Sequence, residues 1–77
     1  MPATTTIIRE HLQSGDLETA AAALALMQLQ AEGFDSLQAR EYRDTYTEVY
    51  DRAIEAVQRG DPQGEMALQL LRIGGPR

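Results

Sequence analysis

Few side chains in this chain could do chemistry, and most of them are carboxylates. Glu41, Asp44, Glu48, Asp51 and Glu55 recur at spacings of three, four, three and four residues, which places all five on one face of a helix. Such a ridge can hold a divalent cation, imitate a nucleic-acid backbone, or steer a basic partner. Cation binding there would be weak, because one straight helix cannot wrap several oxygens around an ion. His11 is the single histidine and there is no cysteine. A transition-metal site would therefore need carboxylates from distant segments, and the Glu-x-x-His pairs of di-iron bundles are absent. Serine occurs only at Ser14 and Ser36, both at expected helix ends, with no histidine placed to activate them. Gly74 and Gly75 follow a helix rather than opening one, and no lysine accompanies them, so no phosphate loop is present. These residues imply no enzyme, no metal and no cofactor.

Tyr42, Tyr46 and Tyr50 form the second set of interest. They stand one helical turn apart, in line with Val49, Ala53 and Val57 and nearly opposite the carboxylates. Three phenol rings on an apolar face would pack into a core, each needing a partner or water for its hydroxyl. Any ring left exposed becomes the best candidate for a binding or dimer surface, where tyrosine is enriched.

These groups must be carried by helices, and the stretch 17–32 organises them. Leu17, Ala20, Leu24, Met27 and Ala31 share one face of it, while Ala22, Leu26 and Leu29 form an apolar strip on the other side. A helix apolar on two sides calls for neighbours on both, which predicts a central helix and makes a homodimer attractive. Leu26 and Leu29 join the three tyrosines as expected partner-binding residues.

The punctuation around this helix is clear. Ile7, Ile8 and Leu12 give a short helix over about 6–13, capped by one of Thr4, Thr5 and Thr6. Gly15 and Asp16 then form a stop and a start, and Gly33 is expected to end the central helix. Asp35 and Gln38 have the spacing of a capping box, with Phe34 packed outside it, and open a helix over about 36–59. Within it, Arg40, Arg52 and Arg59 follow or precede Asp44, Glu48 and Glu55 by four residues, the spacing of helical ion pairs. Gly60, Asp61 and Pro62 repeat the stop and start before a last helix over about 62–73, which presents Met66, Ala67, Leu70, Leu71 and Ile73. Gly64 weakens its first turn. The result is one all-α domain over 1–77, a small bundle with two main antiparallel helices flanked by short ones. The ends, 1–5 and 74–77, are expected to be flexible.

Composition narrows the partners. The chain has 77 residues, with 12 acidic against seven basic side chains and a net charge of −5. Phosphate-backbone binding needs clustered positive charge, so direct contact with nucleic acid is disfavoured. Even a helix–turn–helix drawn over the second and third helices would point carboxylates at phosphates. Every basic residue is arginine, which together with abundant alanine suggests a GC-rich bacterial or phage origin. Neither a signal peptide nor a membrane span is visible, so a cytoplasmic setting is expected.

Two junctions resemble each other: Leu12-Gln13-Ser14-Gly15-Asp16 and Val57-Gln58-Arg59-Gly60-Asp61. A Gly-Asp turn between apolar helices resembles the hairpin turns of tetratricopeptide-type repeats, although the copies here start 45 residues apart rather than about 34. That resemblance implies helical hairpins cradling a partner's peptide or helix. Arg59-Gly60-Asp61 also resembles the integrin-recognition tripeptide, but reads as a helix-end turn. The functional expectation is a non-enzymatic protein-interaction module (a small adaptor, cochaperone or regulatory subunit) docking helix-in-groove. The alternative is an acidic, nucleic-acid-mimicking inhibitor of a host or defence protein.

Overall fold

The computed structural model describes residues 4–29, 33 and 35–74. Four helices run α1 (Thr4–Gln13), α2 (Leu17–Leu29), α3 (Ser36–Gln58) and α4 (Pro62–Gly74), with no strand among the described residues. The chain is a small all-α bundle.

Local chemistry explains most of the boundaries. At the first junction the amide of Gly15 donates to the carbonyl of Leu12 (3.2 Å) and that of Asp16 to His11 (2.9 Å). At the second, Gly60 donates to Val57 (3.0 Å) and Asp61 to Ala56 (2.9 Å). Both are Schellman turns, and they require the positive φ that only Gly15 (84°) and Gly60 (78°) adopt among the described residues. The aspartate after each glycine caps the next helix. Asp16 Oδ1 accepts from the Thr19 amide at 3.2 Å, and Asp61 Oδ1 from Gln63 at 2.9 Å. The capping box of α3 is complete, with the Gln38 amide donating to Asp35 Oδ1 at 2.8 Å and the Asp35 amide to Gln38 Oε1 at 3.1 Å.

Other boundaries differ from the sequence expectation. α1 begins at Thr4, so the threonines lie within its first turn, and Thr5 is buried rather than part of a loose end. Gly33 does not adopt a positive φ, and the residues 30–32 that join it to α2 lie outside the described residues. α4 includes Gly74. The expected continuation of α2 over 30–32, the Phe34 staple, and the ends 1–3 and 75–77 lie outside the described residues.

The packing order was not expected. α2 lies chiefly along α4, which also packs on α3; α2 touches α3 less extensively, and α1 closes the other edge against both. α4 therefore takes the place beside α2 expected for the other main helix, α3. Small side chains permit this: Ala20 and Ala21 on α2, Ala53 and Ala56 on α3, and Gly64 and Ala67 on α4 are all buried, and interaxial distance shrinks with contact side-chain size. Ile8, Leu17, Leu24, Tyr42, Val49 and Leu71 fill the space between them.

Two-sided burial of α2 is overturned within the chain. Leu17, Ala20, Ala21 and Leu24 are buried, whereas Leu26 is 64% and Leu29 76% exposed. The cause is the layer count. The body measures 37 × 27 × 15 Å, and with helix axes about 8–10 Å apart its short dimension holds two layers. All three other helices cover the same side of α2.

α3 is rotated relative to expectation. Its buried residues are Tyr42, Thr45, Val49, Ala53 and Ala56, an arc turned by about 80° from the line of Tyr46, Tyr50 and Val57 at 100° per residue. Thr45 takes a core position because its hydroxyl donates to the Glu41 carbonyl at 2.8 Å, which satisfies the polar atom locally. Tyr50 and Val57 are left substantially exposed, and Met66 of α4 likewise faces outward.

Candidate protein-interaction surface

The rotation of α3 divides the tyrosine ladder. Tyr42 is buried, Tyr46 half-buried and Tyr50 42% exposed. The rings remain in contact, with centroids 6.1 Å apart in each pair; Tyr42 and Tyr46 are tilted by 47°, while Tyr46 and Tyr50 stack at 14°. Burial pushes the Tyr42 phenol up to about 12, with the neighbouring Tyr46 adding to the effect. Tyr42 therefore supports the ladder from the core, and the stacked pair above it is the part a partner could reach.

The leucine strip is a separate surface. Leu26 stands opposite the core line of α2 and points away from all three other helices, with Leu29 beside it and half-buried Ala22 one turn before. The tyrosines stay at the border of the core face of α3. The five expected partner-binding residues thus fall on two patches rather than one.

All five ridge carboxylates, Glu41, Asp44, Glu48, Asp51 and Glu55, are exposed. Their expected ion pairs along the helix do not form. Glu48 Oε2 instead accepts from Arg9 Nε of α1 at 3.2 Å, and Arg59 turns to Asp61 at 3.8 Å. Glu41, Asp44, Asp51 and Glu55 have no ion pair among the described residues. No cluster of three or more metal-ligating side chains occurs among the described residues either.

The two Gly-Asp turns meet at one end of the bundle. Gln63 joins them: its Nε2 donates to the Gly15 carbonyl and its Oε1 accepts from the Glu18 amide, both at 3.4 Å. A cleft there is lined by Leu12, Gly15, Leu17, Arg52, Arg59 and Asp61. His11 Nδ1 lies 3.4 Å from Asp16 Oδ2, and hydrogen bonds from Thr19, with His11 contributing, hold the Asp16 carboxyl below its ordinary value.

Comparison of the chain with family models, curated proteins and solved structures found no match. The surfaces themselves must carry the functional argument. Sequence reasoning missed Leu37, which is 64% exposed at the start of α3. Its signal was available, since one turn along it Glu41 and Asp44 occupy the same side of the helix. Arg9 was also missed, because its partner lies 39 residues away and no local spacing links them.

Proposed function

We propose that the chain is a non-enzymatic protein-interaction module, a small adaptor, cochaperone or regulatory subunit that binds another protein through apolar and aromatic helical surface. One observation carries this reading: Leu26 and Leu29, 64% and 76% exposed, form an apolar strip that none of the other three helices covers. Contiguous exposed apolar surface on a small domain marks an interaction site. The stacked Tyr46 and Tyr50 offer a second apolar surface with low ordering cost, and the carboxylate ridge would steer a basic partner. The tetratricopeptide-like reading of the hairpins rests on the residues of the two junctions, 12–16 and 57–61. A cytoplasmic setting belongs to the same proposal; no helix among the described residues is long and apolar enough to cross a membrane.

The inhibitor reading is favoured by one feature, the four ridge carboxylates that have no ion pair among the described residues. Charge density counts against it. Residues 41–55 rise about 21 Å at 1.5 Å per residue, so the five carboxylates stand about 5 Å apart, against about 1.7 Å of axis per charge in duplex DNA. The two readings separate by mutation. The partner is isolated from native cells with the tagged chain, its complex mass is measured, and variants are compared by affinity. Replacing Leu26, Tyr46 and Tyr50 with Ala abolishes binding by an interaction module, while Glu48→Arg, Asp51→Arg and Glu55→Arg weaken it modestly. The reverse ranking, with helicity intact by circular dichroism, establishes the inhibitor.

A further inference from the structure

We propose that the cleft between the two Gly-Asp turns binds one small phosphate-type oxyanion, free or as the phosphoryl group of a small ester. The proposal stands apart from the interaction-module reading, which uses other surfaces. The cleft has a volume of about 80 Å³ and brings Arg52 and Arg59 together with Leu12, Gly15, Leu17 and Asp61. The two arginines stand about two turns apart on one face of α3.

Both arginines are drawn off the acidic ridge. Arg52 has Glu48 four residues before it and Glu55 three after it, yet it forms no ion pair among the described residues. Glu48 is taken by Arg9, and Arg59 leaves Glu55 for Asp61 across the turn, at a loose 3.8 Å. A guanidinium carries five N–H donors, so most of these remain unused. The acid in the lining is the opposite case. Asp61 Oδ1 accepts from the Gln63 amide and Oδ2 faces Arg59, which engages both oxygens. Leu17, only 7% exposed, adds a donor. The Glu18 and Thr19 amides beside it donate to Gln63 and Asp16, whereas the Leu17 amide has no acceptor among the described residues. Two arginines less one aspartate give the lining a formal charge of +1, in a chain at −5.

Size and surroundings select the ligand. At about 30 Å³ per water molecule the cleft has room for roughly two or three waters, enough for one phosphate group. Glu48 and Glu55 flank the same arginines along α3 and repel an extended polyanion such as nucleic acid. A tetrahedral dianion can accept from both guanidiniums at once, while a carboxylate brings half the charge.

The test titrates the whole isotope-labelled chain with sodium phosphate, glycerol 3-phosphate and sodium acetate, followed by amide NMR. Ionic strength is constant and the pH is about 7.5, where phosphate monoesters are largely dianions. The phosphate probes give saturable shifts centred on Gly15, Leu17 and Asp61, and acetate binds at least about tenfold more weakly. Arg52→Gln, with its fold checked by circular dichroism, loses at least about tenfold in phosphate affinity, the worth of one charge-assisted hydrogen bond. Arg43→Gln, on α3 but outside the cleft, keeps it. Tighter binding of glycerol 3-phosphate than of phosphate identifies a small ester as the ligand, and equal or weaker binding identifies the free ion. The absence of saturable shifts, acetate binding as tight as phosphate, or equal effects of Arg52→Gln and Arg43→Gln overturns the proposal.

Discussion

The first turn of α4 passes so close to the end of α3 that a Cβ on Gly64 would lie 2.6 Å from the backbone nitrogen of Val57. It would also meet Val57 Cγ2 at 2.9 Å and the Ala53 carbonyl at 3.0 Å. Glycine costs a helix about 1 kcal/mol relative to alanine, and here that cost permits close helix packing. Gly64→Ala should therefore destabilise the fold by about 1–3 kcal/mol, the usual cost of overpacking, despite its better propensity. Each kcal/mol lowers the thermal midpoint by about 4–8 °C for a domain of this size, read by circular dichroism. A midpoint at or above that of the native chain would refute the close approach.

One-sided burial of α2 makes neighbouring leucines behave differently. Leu24→Ala removes a fully buried side chain and should cost about 2–5 kcal/mol. Leu26→Ser, two residues on, should change stability by no more than about 0.5 kcal/mol, as at other exposed positions. Urea unfolding of the two variants at low protein concentration compares them directly. Equal losses would mean that the second strip is covered.

Tyr42 provides a test at high pH. A group whose folded value is raised stabilises the fold below its unfolded value of 10.0, and that contribution is lost as pH climbs through the folded value of about 12. Near-ultraviolet absorbance should show one phenol ionising late, and stability should fall between about pH 10 and 12. Tyr42→Phe should remove the late phase.

Asp16 acts at the acid end. Its carboxyl is depressed by Thr19, with His11 contributing, so its contribution is complete above the ordinary value of 3.8 and is lost as pH falls below it. Asp16→Asn should flatten that part of the acid denaturation curve. An unchanged curve would remove Asp16 as a contributor.

The Arg9–Glu48 pair joins α1 to α3 at the surface, with side chains 44% and 48% exposed. A double-mutant cycle on Arg9→Gln and Glu48→Gln should give a coupling of about 0.2–1 kcal/mol that shrinks with added salt. Coupling of Glu48 to Arg52 instead would restore the pairing along the helix that its spacing suggests.

The amino-acid sequence by itself determined the four helices and the devices that separate them. Gly15-Asp16, Gly60-Asp61 and Asp35 with Gln38 could be read directly, because each closes hydrogen bonds between residues only two to five apart. The ridge and the line of tyrosines were legible for the same reason, since helical periodicity is local. Tertiary structure alone decided that α4 lies beside α2, that Thr45 rather than Tyr50 faces the core, and that Glu48 reaches Arg9. It also turned Gly64 from an apparent weakness into a packing requirement and left Leu26 and Leu29 uncovered. Those outcomes depend on how volumes fit between segments distant in sequence. Apolar periodicity shows which faces can be buried, but close packing of small side chains decides which of them are.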